Sequence, residues 1–299
     1  MAIPPAARRE ALGATAAGAQ LRERIAHWHR WGTSTTAHPL DAAALAIAGP
    51  AAGRARPAHS AMDDGRMSDD QIVARARRMW VELLGGAARF SDGEVTPVLA
   101  QGAALAPWGW AGVVEVAGSV IASAPDERVA RMVREGLAKA GVAELGAVFP
   151  EARVLGPVAL AYLDEAEFRP VAAGEWAVEQ LPGSDPALRR LEEAAGEDDT
   201  QEAGLFEIGS PAFVVRVDGE VVAAAGYQVW AGRGAHLSVL TAPAWRGRGL
   251  VRVTGTAATA HALGAGLLPQ WRARVPASRR AAVALGYREI GSQLAIDLG

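Results

Sequence analysis

The sequence predicts an α/β protein of the α+β type, in which a smaller α/β domain precedes a larger C-terminal one. Three observations point there. At 299 residues the chain is longer than one core commonly fills. Half of the residues are apolar and 21% are charged, which suits packed cores and not global disorder. From about residue 67 onward, strand-like runs and helical periods alternate, separated by turn signals.

Residues 1–66 are rich in Ala, Gly, Pro and Arg and carry no sustained strand pattern. Leu21, Ile25 and Trp28 recur at helical spacing and predict one amphipathic helix. The stretch His27-Trp28-His29-Arg30-Trp31 reads as part of a docking helix. A metal or nucleic-acid site fits less well, because histidines two apart do not share a helical face. Residues 48–65 read as a loop or linker.

Residues 67–172 predict a small α/β domain. Ser68-Asp69-Asp70 caps a helix with Ile72, Val73, Ala76, Met79 and Trp80 on its apolar face. Val113 to Ala122 is strand-like and broken at Gly118, and Pro125-Asp126-Glu127 starts a helix that closes near Gly141. No catalytic constellation is visible in this part, and Trp108 and Trp110 read as core or interface anchors.

Residues 173–299 hold the informative pattern. Trp176 to Leu181 reads as a strand, and Asp185-Pro186 caps a helix ending near Gly196. An acidic loop follows, and two β-branched runs around Asp218-Gly219 then predict a hairpin. A strand from Ala235 to Thr241 runs into Ala242-Pro243-Ala244-Trp245-Arg246-Gly247-Arg248-Gly249-Leu250. A helix over about 251–263, a strand from Gln270 to Val275, a short helix over 277–285 and a last strand near 294–298 complete the order.

Composition removes whole classes of chemistry. Without cysteine there are no disulfides, no thiolate metal sites and no cysteine-bound acyl intermediate. Lys139 is the sole lysine beside 29 arginines, and its surroundings are not those of a G-x-x-x-x-G-K-[ST] phosphate loop. The arginine and alanine usage suggests a GC-rich bacterial genome. No apolar run reaches about 18 residues and the first residues lack a signal-peptide core, so a cytoplasmic protein is expected.

A strand emptying into a glycine- and arginine-containing loop and then a helix is an anion site with a physical basis. The first helical turn presents unpaired N–H groups and partial positive charge. Gly247 and Gly249 allow close backbone approach, and Arg246 and Arg248 add charge. By itself the loop reads equally as a tight strand-to-helix turn. It is not a dinucleotide fingerprint, because Arg252 stands where the third glycine would be.

The element order, this loop, and the later run Ser278-Arg279-Arg280-Ala281-Ala282-Val283-Ala284-Leu285-Gly286-Tyr287 together resemble the GNAT acetyltransferase superfamily over roughly the last 126 residues. The resemblance implies a mixed, mostly antiparallel central sheet flanked by helices. It implies acetyl-CoA as co-substrate, its pyrophosphate held by the backbone of Arg246, Gly247, Arg248, Gly249, Leu250 and Val251, with Ser278 near the cofactor. It also implies that Val239, Leu240 and Thr241 pair with the pantetheine arm, and that an acyl group passes directly to an amine. No metal is implied. The segment 67–172 then reads as a degenerate second copy of that fold, or as an unrelated dimerisation or covering module.

Three positions depart from the family pattern. Val251 replaces a small residue, Val275 replaces a frequent asparagine, and Ala282 stands where many members carry the tyrosine that protonates the leaving thiolate. Tyr287 and Tyr227 are the substitutes for that tyrosine, each with packing as its plainer role. For the base, His236 has the chemistry. Strand alternation turns it away from the face that Ala235 and Leu237 share, unless a bulge resets the register. Glu202 and Glu207 are rivals, or else solvated loop acids.

Charge is divided along the chain. Residues 174–240 hold twelve acids and four arginines, and residues 241–299 hold eight arginines and two acids. A basic half suits phosphates and an acidic half suits a cationic amine, although Glu192, Glu193, Glu197, Asp198, Asp199 and Glu202 equally fit a solvated loop. The expected activity is acyl-CoA-dependent N-acetylation of a primary amine on a small cationic molecule. The rivals are a non-catalytic acyl-CoA-binding regulator and a protein or peptide N-acetyltransferase. Nucleic-acid and membrane partners are not expected, and a homodimer is compatible with the sequence.

Overall fold

The computed structural model describes residues 69–100 and 105–299. The amphipathic helix around Leu21, the His27 to Trp31 stretch, the linker at 48–65 and the Ser68 cap lie outside the described residues. Each segment on either side of residue 172 supplies strands to one ten-stranded sheet.

In chain order, helix α1 (Asp69–Leu83) leads to β1 (Val98–Leu99), β2 (Ala111–Val116) and β3 (Ser119–Ala124). Next come α2 (Glu127–Lys139), α3 (Leu145–Val148) and β4 (Arg153–Tyr162). The second segment contributes β5 (Val178–Leu181), α4 (Pro186–Ala195), α5 (Glu197–Ala203), β6 (Ala212–Val217), β7 (Glu220–Trp230) and β8 (Gly234–Thr241). It closes with α6 (Leu250–Gly264), β9 (Leu268–Ala273), α7 (Pro276–Ala284) and β10 (Arg288–Asp297). Across the sheet the order is β1-β3-β2-β10-β4-β9-β8-β7-β6-β5. Among the described residues only β1 with β3 and β8 with β9 run parallel, so the sheet is mixed and mostly antiparallel.

Local chemistry explains most elements. Ile72, Ala76, Met79 and Trp80 fall on one stripe of α1 and are fully buried. Asp126 caps α2 by accepting from the Val129 N–H, and Asp185 caps α4 by accepting from the Ala187 N–H. Ala117-Gly118 and Asp218-Gly219 both take positive φ at the tips of two-residue hairpins, the conformation such tight connections demand. The expected single strand broken at Gly118 is thus the hairpin β2–β3. Trp110 is buried as an anchor, whereas Trp108 is half exposed.

Besides the short β1 and α3, two elements depart from the sequence reading. The acidic stretch after Gly196 folds as helix α5, with Glu197, Asp198 and Asp199 in its first turn, where negative charge complements the helix dipole. Strand β4 was not foreseen. It lies between β9 and β10, two strands of the second segment, and β10 in turn pairs with β2 of the first. The segments therefore interleave at the centre of the sheet. Helices α6 and α7 pack on one face around Trp271, Leu285 and Tyr287, and α4 packs with Leu205 on Val214, Ala224 and Leu240.

Candidate active site

β8 and β9 are paired in parallel only from Gly234 with Leu268 to His236 with Gln270. Beyond that point they separate, and two clefts open at the divergence. The first, about 410 Å³, is lined by His236 of β8, Arg272 and Arg274 from β9 and its exit, Glu197 and Glu202 of α5, and Gly156 of β4. The second, about 330 Å³, runs along Val239, Leu240 and Thr241 to the loop before α6 and across to Ser278 on α7. Glu202, Ala203, Leu237 and Arg272 line both, so the clefts meet at the point of divergence.

The loop end of the second cleft is shaped by backbone conformation. Gly247 and Gly249 both have φ near +80°, which L-side chains rarely adopt, and Gly249 immediately precedes α6, which no side chain caps. Arg246 pairs with Asp199 of α5 and donates to the Thr241 carbonyl at 3.3 Å. The Arg248 guanidinium lies 4.4 Å from the ring centre of Trp245, which packs edge-on against Trp176. Of the ten positions expected at the cofactor, nine line this cleft, and Arg248 sits on the outer face of Trp245 instead.

The expected catalytic residues separate. His236 lines the first cleft, is 8% exposed and stacks on Trp230 at 4.1 Å between ring centres. It needs no bulge to do so: the β7–β8 register is unbroken, and at the divergence the cleft is lined by His236 and also by Leu237 from the other face of β8. Glu202 lies at the junction and is ion-paired with Arg274 at 3.0 Å. Tyr287 is brought to neither cleft: it is buried under α6, where its hydroxyl meets Thr259 at 2.8 Å, and burial raises its pKa. Tyr227 bonds His261 of α6 at 2.9 Å and is likewise remote. Ser278 accepts from the Trp271 indole N–H at 2.9 Å.

Arg272 lies at the junction of the clefts, a position that the sequence reading did not single out. Burial of Arg272 pulls its pKa down to about 10, against the opposing fields of Glu202 and Glu207, and its side chain forms the floor where the clefts join. In sequence it is one of many arginines; only the divergence of β8 from β9 gives it meaning. Among the described residues no group of three His, Asp or Glu side chains could hold a metal, and no helix is long and apolar enough to cross a membrane.

Residues 206–293 match the model of the GNAT acetyltransferase family. The matched stretch contains β6 to β9, the glycine loop and most of β10, and the match supports an acyltransferase. A GNAT-family protein from Novosphingobium aromaticivorans is similar at 23% identity and a TM-score of 0.40, over 49% of this chain and 67% of that one. A GCN5-related N-acetyltransferase from Kribbella flavida is 17% identical with a TM-score of 0.47, over 76% of this chain and 96% of its own. A tandem GNAT protein from the clavulanic acid biosynthesis pathway is 14% identical with a TM-score of 0.40, over 77% and 96%. No curated protein matches the sequence.

Proposed function

We propose that the protein transfers an acetyl group from acetyl-CoA directly to a primary amine of a small, cationic molecule. The observation that carries this reading is the meeting of two clefts at the divergence of β8 from β9, one basic and glycine-lined, the other edged by acids and a buried histidine. Acetyl-CoA fits the second cleft. Its pyrophosphate would rest on the backbone of residues 247–251, with Arg246 exchanging Asp199 for phosphate, and its pantetheine arm would pair with the β8 edge at 239–241. A small acceptor fits the first cleft, whose volume is that of a small-molecule site.

In this reading the amine nitrogen attacks the thioester carbonyl, forming the C–N bond, and the C–S bond breaks to release the CoA thiolate. His236 takes the proton that the amine loses and passes it, directly or through water, to the thiolate, which leaves as CoA thiol. Glu197, Asp198 and Glu202 draw a cationic acceptor to the cleft. Ala282 is buried among core side chains and offers no hydroxyl to the thiolate. That observation favours a second reading, a non-catalytic acyl-CoA-binding protein.

A thiol-release assay with acetyl-CoA over a panel of polyamines, aminoglycosides, amino acids and peptides separates them. Turnover on a small amine, reduced at least a hundredfold in His236→Gln and far less in Glu202→Gln, supports the enzyme with His236 as base. Acetyl-CoA binding with no turnover on any amine supports the regulator. Absence of binding overturns both.

A further inference from the structure

Behind His236 a row of buried polar groups leads out of the second segment into the first. Tyr162 on β4 is the register partner of Gln270 on β9, and Gln270 is the register partner of His236 on β8. Gln270 Oε1 lies 3.1 Å from His236 Nδ1, and Gln270 Nε2 donates to the Tyr162 hydroxyl oxygen at 3.0 Å. Trp80 Nε1 of α1 donates to that same oxygen at 2.7 Å. Trp80, Tyr162 and Gln270 are shut off from solvent, so each of these bonds acts without competition from water.

The orientation of the Gln270 amide sets the direction of the row. An indole N–H only donates, so one lone pair of the Tyr162 oxygen is committed to Trp80. The other receives the Gln270 amide NH₂, which turns the Gln270 carbonyl toward the imidazole. A carbonyl oxygen only accepts, so Nδ1 carries the ring proton and Nε2 holds the lone pair. The same bond survives proton uptake and gains strength, because the imidazolium still donates from Nδ1 and now does so with a full charge. A reversed amide would set its NH₂ against the Nδ1–H of the imidazolium.

We infer that Tyr162 and Gln270 are positioning residues for His236, with Trp80 as the anchor of the row. They hold the ring as the Nδ1–H tautomer, so that Nε2 is the atom that takes the proton of the acceptor amine. This rests on the base role proposed above and deepens it. It also gives the first segment a part in the chemistry: two of the three supporting side chains come from α1 and β4, and neither lines either cleft.

The test reads the tautomer directly. The full chain, carrying ¹⁵N-labelled histidine, is examined by two-bond ¹⁵N–¹H correlation, with His236→Gln assigning the resonance. The wild type is expected to show Nδ1–H. Tyr162→Phe frees the Gln270 amide to turn, and Gln270→Met removes the acceptor; both are expected to give mixed tautomers. Gln270→Glu, whose carboxylate only accepts, is expected to restore Nδ1–H. On any amine that turns over, kcat is expected to fall at least fivefold in the first two variants with the KM for acetyl-CoA unchanged, and to recover in Gln270→Glu. A merely structural row would lower the melting temperature without moving the tautomer. Should Gln270→Met fail to fold, Tyr162→Phe, which removes a single oxygen, carries the experiment. An Nε2–H wild type, or an unchanged Nδ1–H signal in the folded variants, overturns the inference. A responsive tautomer with full turnover in His236→Gln instead overturns the base assignment and takes the catalytic meaning of the row with it.

Discussion

If the two segments interleave as described, the second segment should not fold alone. Cutting the chain to residues 173–299 removes β4 from between β9 and β10, and β2 from the outer edge of β10. Both lost ladders are replaced by water. On the fragment, Trp230 and Leu268 lose the cover of α1 and β4, while Leu294 and Ile296 lose that of β2 and α2. Re-exposing a large apolar side chain costs about 1.5–3 kcal/mol, so these four alone cost roughly 6–12 kcal/mol. That equals most of the ~5–15 kcal/mol that holds a typical domain folded. The assay is to express residues 173–299 and 1–172 separately and together, and to follow thermal unfolding by circular dichroism and acetyl-CoA binding by calorimetry. The expected result is no cooperative transition for 173–299 alone, and recovery of a transition and of binding when the pieces are combined. A fragment 173–299 that melts cooperatively and binds acetyl-CoA unaided refutes the reasoning.

Gly249→Val should raise the Kd for acetyl-CoA at least tenfold in titration calorimetry. The left-handed backbone there costs an L-residue roughly 1–2 kcal/mol, and the new Cβ would sit 3.1 Å from Arg252 Nη2, so the loop must shift; unchanged affinity would remove the loop from the cofactor site. Tyr287→Phe should cost ~1 kcal/mol in denaturant unfolding through loss of the Thr259 bond, yet leave thiol release unaltered. A rate collapse there would restore Tyr287 as the general acid. Glu192 is half-buried and burial raises its pKa above the ordinary 4.5, so ionising it costs the folded state more than the unfolded one. Its favourable contribution is present at low pH and is lost as pH rises through the folded value. Glu192→Gln should therefore raise the melting temperature at neutral pH and change it little well below 4.5.

Much of the second segment was legible because its signals are local. Asp185-Pro186, Asp218-Gly219 and Gly249 each dictate their own cap or turn, and the elements they bound appear within a few residues of expectation. β4 was not legible because its cause is distant. Gly156-Pro157 inside Arg153–Tyr162 reads as a break, and what makes the stretch a strand is pairing on both edges with chain more than a hundred residues away. Gln270 has the same character: its partner Tyr162 is 108 residues upstream, and nothing in Pro269-Gln270-Trp271 announces it. For His236 the alternation argument lacked the parting of β8 from β9, which opens a cleft reached from His236 and Leu237 alike.

The charge division along the chain acquires a different meaning in space. Asp199 and Glu202 lie on one short helix, α5, yet their partners stand on opposite sides of the divergence. Arg246 follows β8, and Arg274 follows β9. The acidic stretch is therefore neither simply a solvated loop nor an unopposed sink for cations; it ties α5 to both walls of the clefts. Each of these pairs is about half exposed, and exposed pairs contribute ~0–1 kcal/mol. Breaking one to let Arg246 turn to a phosphate thus costs little, while a charge-assisted bond to phosphate contributes more. Under the proposed function, releasing Asp199 would leave a carboxylate on the same helix as Glu202, beside the junction of the clefts, and would strengthen the pull on a cationic amine. Cofactor binding and acceptor binding would then be coupled by this exchange, each favouring the other, and salt should weaken the coupling because both pairs face solvent.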